Sequence, residues 1–257
     1  MSDDKNKLPT VAVIMACYNH GQWVKQAFDS IVAQDYPNKF IVIVDDCSTD
    51  DTYQTILSLL GGTDRIDLDD NVHGKYNGVV VYVLKNKTNM KQAHSRNVAI
   101  QLAWDKADAF MNLDVDDAYL PWKISKSVEA WLKSPNAIGM VYCDVLIENT
   151  QTGTTIHEYR EPFNLQRLQE ECITSNAPLF TKAALSTVGP YDESLPPCED
   201  WDLAMRIGER FMVIHIPEPL QIYRLTGVNC QDIIPREVWQ ERWNAIYHKK
   251  LQRQQNP

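Results

Sequence analysis

Asp114, Asp116 and Asp117 stand together in NLDVDDAYLP (112–121), at the end of the apolar run AFMNL (109–113). Carboxylates held this close repel one another unless a cation lies between them or one takes up a proton. Asp114 and Asp116 are two positions apart, so an extended chain sends both side chains the same way. Oxygen ligands of this kind suit Mg2+ or Mn2+, and Mg2+ in particular is held by one or two carboxylates together with substrate phosphates. The chemistry on offer is metal-assisted handling of a diphosphate. A plainer use exists, because Asp116 and Asp117 precede Pro121, which suits the first position of a helix, and acidic groups favour a helix N-terminus. That use does not account for Asp114. Other polar clusters are CYN (17–19), DDCSTDD (45–51), HSRN (94–97) and PCEDWD (197–202).

The elements that must position these clusters alternate short apolar runs with helical periods, the pattern of βαβ units and a mostly parallel sheet. VAVIMA (11–16) reads as the first strand, and Val24, Ala27, Phe28, Ile31 and Val32 form the buried stripe of the helix after it. FIVIV (40–44) is the second strand; the next helix buries Tyr53, Ile56, Leu57 and Leu60, with Ser48 or Thr49 as its cap. The polar stretch 61–78 reads as a surface insertion. Its Asp67, Asp69 and Asn71 have the spacing of a calcium loop, but Val72 stands where such a loop needs glycine and no glutamate closes it. VVVYVL (79–84), a helix over about 92–104 and the strand 109–113 follow. A helix entered at Pro121 buries Ile124, Val128, Trp131 and Leu132, and 138–159 reads as a long hairpin turning at TQTG. Helices near 164–171, 180–188 and 200–209 precede the strand FMVIHI (211–216). In an open parallel sheet, ligands bind outside the carboxyl ends of the strands, so the clusters leaving the first, second and 109–113 strands share one cleft.

With 257 residues and 44% hydrophobic content, the chain has ample material for a packed core. A net charge of -9 and a pI near 5.1 exclude a general nucleic-acid surface, which needs a basic patch. Six scattered cysteines without C-x-x-C spacing indicate neither a zinc site nor a disulfide framework, and read as reduced thiols of a cytoplasmic chain. The N-terminus lacks the apolar core of a signal peptide, and no run of about 18 apolar residues marks a transmembrane segment. Trp239, Trp243 and Tyr247 form a stripe on a C-terminal helix, with Lys249, Lys250 and Arg253 beyond. Such a stripe docks on the protein body, with peripheral membrane contact or dimerisation as its other uses.

Taken together, residues 11–52, NMKQAHSRNVAI (89–100), NLDVDDAYLP and VGPYDESLPPCEDWDLAMRI (188–207) resemble the family 2 glycosyltransferases of the GT-A fold, in that family's order and spacing. The likeness covers about residues 9–227. It implies an α/β fold of GT-A type, with a Rossmann-like, mostly parallel central sheet, added antiparallel strands and a helical C-terminal segment. Residues 1–228 would form the glycosyltransferase domain, with a nucleotide-binding half at about 9–118 and an acceptor half at about 119–228; 229–257 would be a helical extension.

The resemblance also implies roles. Tyr18 lies against the nucleobase and Asp46 accepts from a ring nitrogen; Arg96 contacts the nucleotide, Asp114 lies near the ribose, Asp116 coordinates Mn2+ or Mg2+ on the diphosphate, and Asp200 is the catalytic base. Asp117 supports the loop or the following helix. The implied donor is a nucleoside diphosphate sugar, with a UDP-sugar favoured, and the acceptor a glycan or glycoconjugate receiving a hexosyl group with inversion. Two departures stand out. Lys91 occupies a position where many members have glycine, and Thr226 stands where many have a histidine that assists the metal. QERW (240–243) is one residue shorter than the Q-x-x-R-W signature of processive membrane-bound relatives. A non-catalytic nucleotide-sugar binding protein would share the fold. A Mg2+-dependent nucleotidyltransferase would instead need a basic, glycine-rich triphosphate loop near the first strand, which ACYNHGQW does not provide.

Overall fold

Both faces of the first strands are buried, which is why they read as continuous apolar runs. In the computed structural model, which describes residues 8–68, 71–227 and 229–255, β1 (Val11–Cys17) sends Val11, Val13 and Met15 to one core and Ala12 and Ile14 to the other. α1 (Gly21–Val32) covers the first core with Val24, Ala27, Phe28 and Ile31. β2 (Lys39–Asp45) and α2 (Thr52–Leu59) follow. β3 (Gly61–Leu68) and β4 (Asn71–Tyr76) lead into β5 (Val79–Lys85), and α3 (Lys91–Ala103) covers the second core with Ala93, Ala99, Ile100 and Ala103. β6 (Ala109–Asn112), β7 (Ala118–Tyr119) and α4 (Lys123–Leu132) complete the first half. Each fully buried aliphatic side chain stabilises this arrangement by about 1.5–3 kcal/mol.

The second half adds β8 (Ile138–Asn149), β9 (Thr154–Glu158), α5 (Leu165–Glu170), β10 (Leu179–Thr181), α6 (Lys182–Val188), α7 (Glu199–Gly208) and β11 (Met212–Leu225), then α8 (Cys230–Ile233) and α9 (Arg236–Gln255). The sheet runs β3-β4-β5-β2-β1-β6-β10-β8-β11-β7, with β9 paired to β8. β5, β2, β1 and β6 are mutually parallel. β10 pairs antiparallel with both β6 and β8, so β8 continues past the ends of the parallel strands toward the side where the polar clusters emerge. β11 runs parallel to β8 and meets β7 antiparallel, directly after the Asp cluster.

Several local expectations are corrected. The 61–78 stretch, expected as a surface insertion, supplies the strands β3 and β4 that extend one sheet edge, and Asn77 and Gly78, both at positive φ as a two-residue hairpin turn requires, turn β4 into β5. The calcium-loop reading of Asp67, Asp69 and Asn71 falls partly on Asp69, which lies outside the described residues. Ser48 and Thr49 do not cap α2: Asp51 is its N-cap residue, and Asp50 Oδ1 accepts from Thr52 N (3.0 Å). Pro121 precedes α4 rather than opening it, and Leu132 is exposed while Ile124, Val128 and Trp131 are buried. On α9 the docked face runs through Trp239 and the buried Ile246, whereas Tyr247 stays exposed at its edge, stacked on Trp243. No helix among the described residues is long and apolar enough to cross a membrane.

α9 braces the segment that enters α7. Lys249 Nζ donates to the Asp192 carboxylate and to Ser194 Oγ, Arg242 Nε donates to Pro196 O (3.2 Å), and Arg253 Nε donates to Glu209 Oε2 (2.9 Å). The far end of α7 lies close against β8. A Cβ added at Gly139 would stand 2.6 Å from Phe211 Cβ and 2.8 Å from Ile207 Cγ2. Gly139→Ala is therefore expected to destabilise the protein by about 1–3 kcal/mol through overpacking, seen as a lower thermal midpoint. An unchanged midpoint would show that α7 moves off β8 freely.

Candidate functional site

Arg96, on the inner face of α3, is 3% exposed. Its Nη2 donates to Asp114 Oδ1 (2.6 Å), its Nη1 to Glu199 Oε1 (2.8 Å), and the Tyr191 ring centroid lies 5.5 Å away. One guanidinium thus joins the end of β6 to the first turn of α7. Burial opposes its charge, but Asp114, Tyr191 and Glu199 outweigh that and hold its pKa above the usual value. The neighbours of Arg96 are fixed too. Asn97 clamps the backbone of Tyr191 through both amide atoms (2.9 Å each), and Ser95 Oγ accepts from Asn86 (3.0 Å).

The three aspartates separate. Asp117 is buried, its Oδ1 accepting from Arg224 N (2.9 Å) and its Oδ2 from Asn176 Nδ2 (2.8 Å). It therefore supports the loop through β11 and the 171–178 segment, not through α4. Asp114 Oδ2 also accepts from Asn176 Nδ2 (3.2 Å). Asp116 is half-buried, and no side chain among the described residues hydrogen-bonds its carboxylate, while its backbone carbonyl accepts from Arg224 Nη1 (2.9 Å). Burial first, and Asp114 second, push the Asp116 pKa up; burial and Asp116 push Asp117 well up.

Two loops at the ends of β1 and β2 are locked together. Asn19 N donates to Ser48 Oγ (3.0 Å), Asn19 Nδ2 donates to Thr49 Oγ1 (3.3 Å) and Thr49 N donates to Asn19 Oδ1 (2.9 Å), so both hydroxyls are engaged away from α2. Tyr18 is left 43% exposed on this rim. Asp46, buried, takes both of its oxygens to the loop entering α3, accepting from Asn86 Nδ2 (2.7 Å), Met90 N (2.8 Å) and Lys91 N (2.7 Å). Lys91 sits at φ 72°, the left-handed region that favours glycine, so its backbone conformation is held by the Asp46 hydrogen bond. Asn19 (φ 55°) and Cys47 (φ 62°) are likewise left-handed. Such backbone strain gathers around binding sites.

Asp200 is half-buried in the first turn of α7, where its Oδ1 accepts from Trp201 N (2.8 Å). Burial raises its pKa and the Arg96 charge works against that rise. Glu199 beside it is fully buried, its Oε2 has no hydrogen-bond partner among the described residues, and burial, only partly offset by Arg96, raises its pKa to about 7. The structure therefore gathers Arg96, Asp114 and Glu199 by direct contact, with Asp116 two residues after Asp114 and Asp200 next to Glu199, while Tyr18 and Asp46 follow the ends of β1 and β2. Asn176, Arg224 and Glu199 are site residues that no local motif marks, although Glu199 shares the acidic pair with Asp200 and Arg224 belongs to YRLTG. Thr226 donates through N to Asn229 Oδ1 (2.8 Å) and through Oγ1 to the same atom (3.2 Å). Among the described residues no group of three or more His, Cys, Asp or Glu is placed to hold a metal.

The family model of Glycosyl transferase family 2 matches residues 12–185. An uncharacterized glycosyltransferase of Haemophilus influenzae is 26% identical over 219 residues, covering 82% of this chain and 66% of the relative, so the chain spans just under two thirds of that protein. S. aureus TarS 1–349 in complex with UDP-GlcNAc shares the fold at a TM-score of 0.65 and 17% identity, over 91% of this chain and 65% of that one. The mannosyltransferase PcManGT from Pyrobaculum calidifontis, in complex with GDP-Man and Mn2+, does so at 0.62 and 17%, over 94% and 62%. The expected GT-A architecture is the one observed.

The buried Glu199 makes stability depend on pH. Its carboxyl keeps its proton to about pH 7 in the folded protein and ionises near 4.5 when unfolded. Between those values the folded state binds more protons, so stability falls as pH rises, by at most about 1.4 kcal/mol per pH unit for one group. Denaturant titrations of wild type and Glu199→Gln from pH 4.5 to 7 are expected to diverge, wild type losing ground as pH rises. A difference constant across that window would contradict a raised Glu199 pKa.

Proposed function

The chain belongs to glycosyl transferase family 2, and from that premise we propose that it is an inverting, metal-dependent glycosyltransferase moving a sugar from a nucleoside diphosphate sugar to an acceptor hydroxyl on a glycan or glycoconjugate. The observation that carries this reading is the Arg96 guanidinium shared between Asp114 and Glu199. It holds a donor-facing carboxylate and the turn that carries Asp200 in fixed relation, as a displacement between two bound substrates requires.

Each residue has a part. Tyr18 offers its exposed face to a base, and aromatic stacking of this kind is indifferent to base identity. Asp46 accepts three hydrogen bonds from the 86–91 loop; a carboxylate has room for about four, so one position remains for a ring N–H. Asp114 faces the ribose. TarS and PcManGT, bound to UDP-GlcNAc and GDP-Man, show that this fold accommodates either base; a UDP-sugar is our preferred donor.

Asp116 fits a cation, because it has no side-chain partner among the described residues and a positive charge would relieve its crowding by Asp114. Mn2+ or Mg2+ would be held by Asp116 and the diphosphate oxygens, with Thr226 engaged by Asn229 instead. When bound, such an ion offsets the negative charge that gathers on a departing diphosphate.

Asp200 takes the proton. Its Oδ1 is occupied by Trp201 N, leaving Oδ2 for the acceptor O–H. Burial raises the basicity of the carboxylate while the Arg96 charge opposes that rise, a balance suited to a general base. The deprotonating hydroxyl attacks the anomeric carbon from the face opposite the diphosphate, and the carbon–oxygen bond to the diphosphate breaks, inverting the configuration. Asp200→Asn keeps shape and hydrogen bonding but cannot accept the proton, so it is expected to lower kcat about 10²–10⁴-fold with nucleoside diphosphate affinity unchanged. Undiminished turnover in that variant would exclude Asp200 as the base.

A further inference from the structure

Lys123 opens α4 at 1% exposure, among the largest fully buried side chains of the protein. Its Nζ donates to Gln221 Oε1 on β11 (2.6 Å) and to Cys143 Sγ on β8 (3.3 Å), and it lies 5.3 Å from the centroid of the Tyr119 ring. None of these partners carries a full charge. A buried ammonium without a paired carboxylate is costly, and packing alone would be served better by an apolar side chain.

The hydrogen bonds beyond Gln221 supply a reason for its presence. An ammonium only donates, so Gln221 must turn its carbonyl oxygen toward Lys123 and its amide nitrogen away. That nitrogen donates to Asn176 Oδ1 (2.6 Å), and Asn176 Nδ2 then donates to Asp117 Oδ2 (2.8 Å) and Asp114 Oδ2 (3.2 Å). Two amide dipoles are aligned head to tail between a cation at one end and a pair of carboxylates at the other. Hydrogen bonds in such a chain polarise and strengthen one another. Asp114 is thereby gripped on both oxygens, by Arg96 on Oδ1 and by this chain on Oδ2.

We propose that Lys123 is a positioning residue for the donor site, acting through Gln221 and Asn176 to orient Asp114 and Asp117. The inference rests on the reading of Asp114 as a donor-facing group. Lys123 itself touches neither donor nor metal; its charge reaches the carboxylates through the two amides.

The test compares UDP binding, with Mn2+ present, in wild type, in Lys123→Met/Gln221→Leu and in Asn176→Ala. Replacing both buried partners by apolar groups of similar shape removes the buried ammonium together with its acceptor, and only the half-buried Asn176 Oδ1 loses a donor, so the double variant is expected to keep a near-wild-type thermal midpoint. Its UDP affinity should nevertheless fall roughly 10-fold, the size of one weakened hydrogen bond to a charged group. In a transfer assay the loss should appear as a raised donor KM with little change in kcat. Asn176→Ala cuts the chain at its other end, leaves Lys123 with Gln221, and should lose a similar factor, so the inference remains testable if the double variant folds poorly. Wild-type affinity in a folded double variant, or in Asn176→Ala, would overturn the positioning role. Failure of wild type to bind UDP or any other nucleoside diphosphate would instead remove the donor-site reading, and this inference with it.

Discussion

Taking the Arg96 guanidinium out of water costs several kcal/mol, and the cost is met only because Asp114 and Glu199 accept from it while the Tyr191 ring lies beside it. The three groups come from three distant segments, α3, the end of β6 and the start of α7. Arg96 is the donor that Asp114 and Glu199 share, and removing one partner from a buried pair of this kind costs about 3–5 kcal/mol. The cleft is consequently built around a fixed charge. Asp200, next to Glu199, feels it directly: Arg96 restrains the rise that burial imposes on its pKa, while Asp114, which Arg96 holds, adds to the rise at Asp116.

Around that centre, polar groups are engaged in holding loops. Asp46 fixes the entry to α3, where Lys91 adopts a backbone conformation that glycine would take more readily. Asn19 ties the β1 loop to the β2 loop. Asn97 and α9 both hold the 190–198 segment, Asn97 through Tyr191 and Glu193, α9 through Asp192, Ser194 and Pro196. The rigid sheet thus supplies the strand ends, and side-chain hydrogen bonds convert irregular connections into a defined site.

How far the sequence reveals this depends on whether a feature is local. β1, β2 and their helices are legible because burial on two faces leaves continuous apolar runs, and one-sided helices leave a 3.6-residue period. The hairpin over 61–78 is obscured by its polar composition, although the Asn77–Gly78 pair before VVVYVL is a signal for it. The caps at Ser48 and Thr49 mislead because Asn19, some thirty residues earlier, competes for them. Within the site, the Asp cluster, Arg96 and the acidic pair stand out as motifs. Lys123, Asn176 and Gln221 do not, since they lie in ordinary helix, loop and strand positions and meet only where α4, β11 and the 171–178 segment come together. Asp46 can be located in sequence, but the three loop donors that occupy it cannot.

The central claim is that the cleft around Arg96 is a nucleotide-sugar donor site that takes a divalent cation together with the diphosphate. A thermal-shift panel of nucleoside diphosphates and their sugars, with and without Mn2+, tests it most directly, because selective binding stabilises the folded state by the logarithm of ligand over Kd. The account predicts a selective shift with one nucleoside diphosphate, larger with Mn2+ present than the nucleotide and the metal produce separately. No shift with any diphosphate, in the presence or absence of the metal, would contradict it.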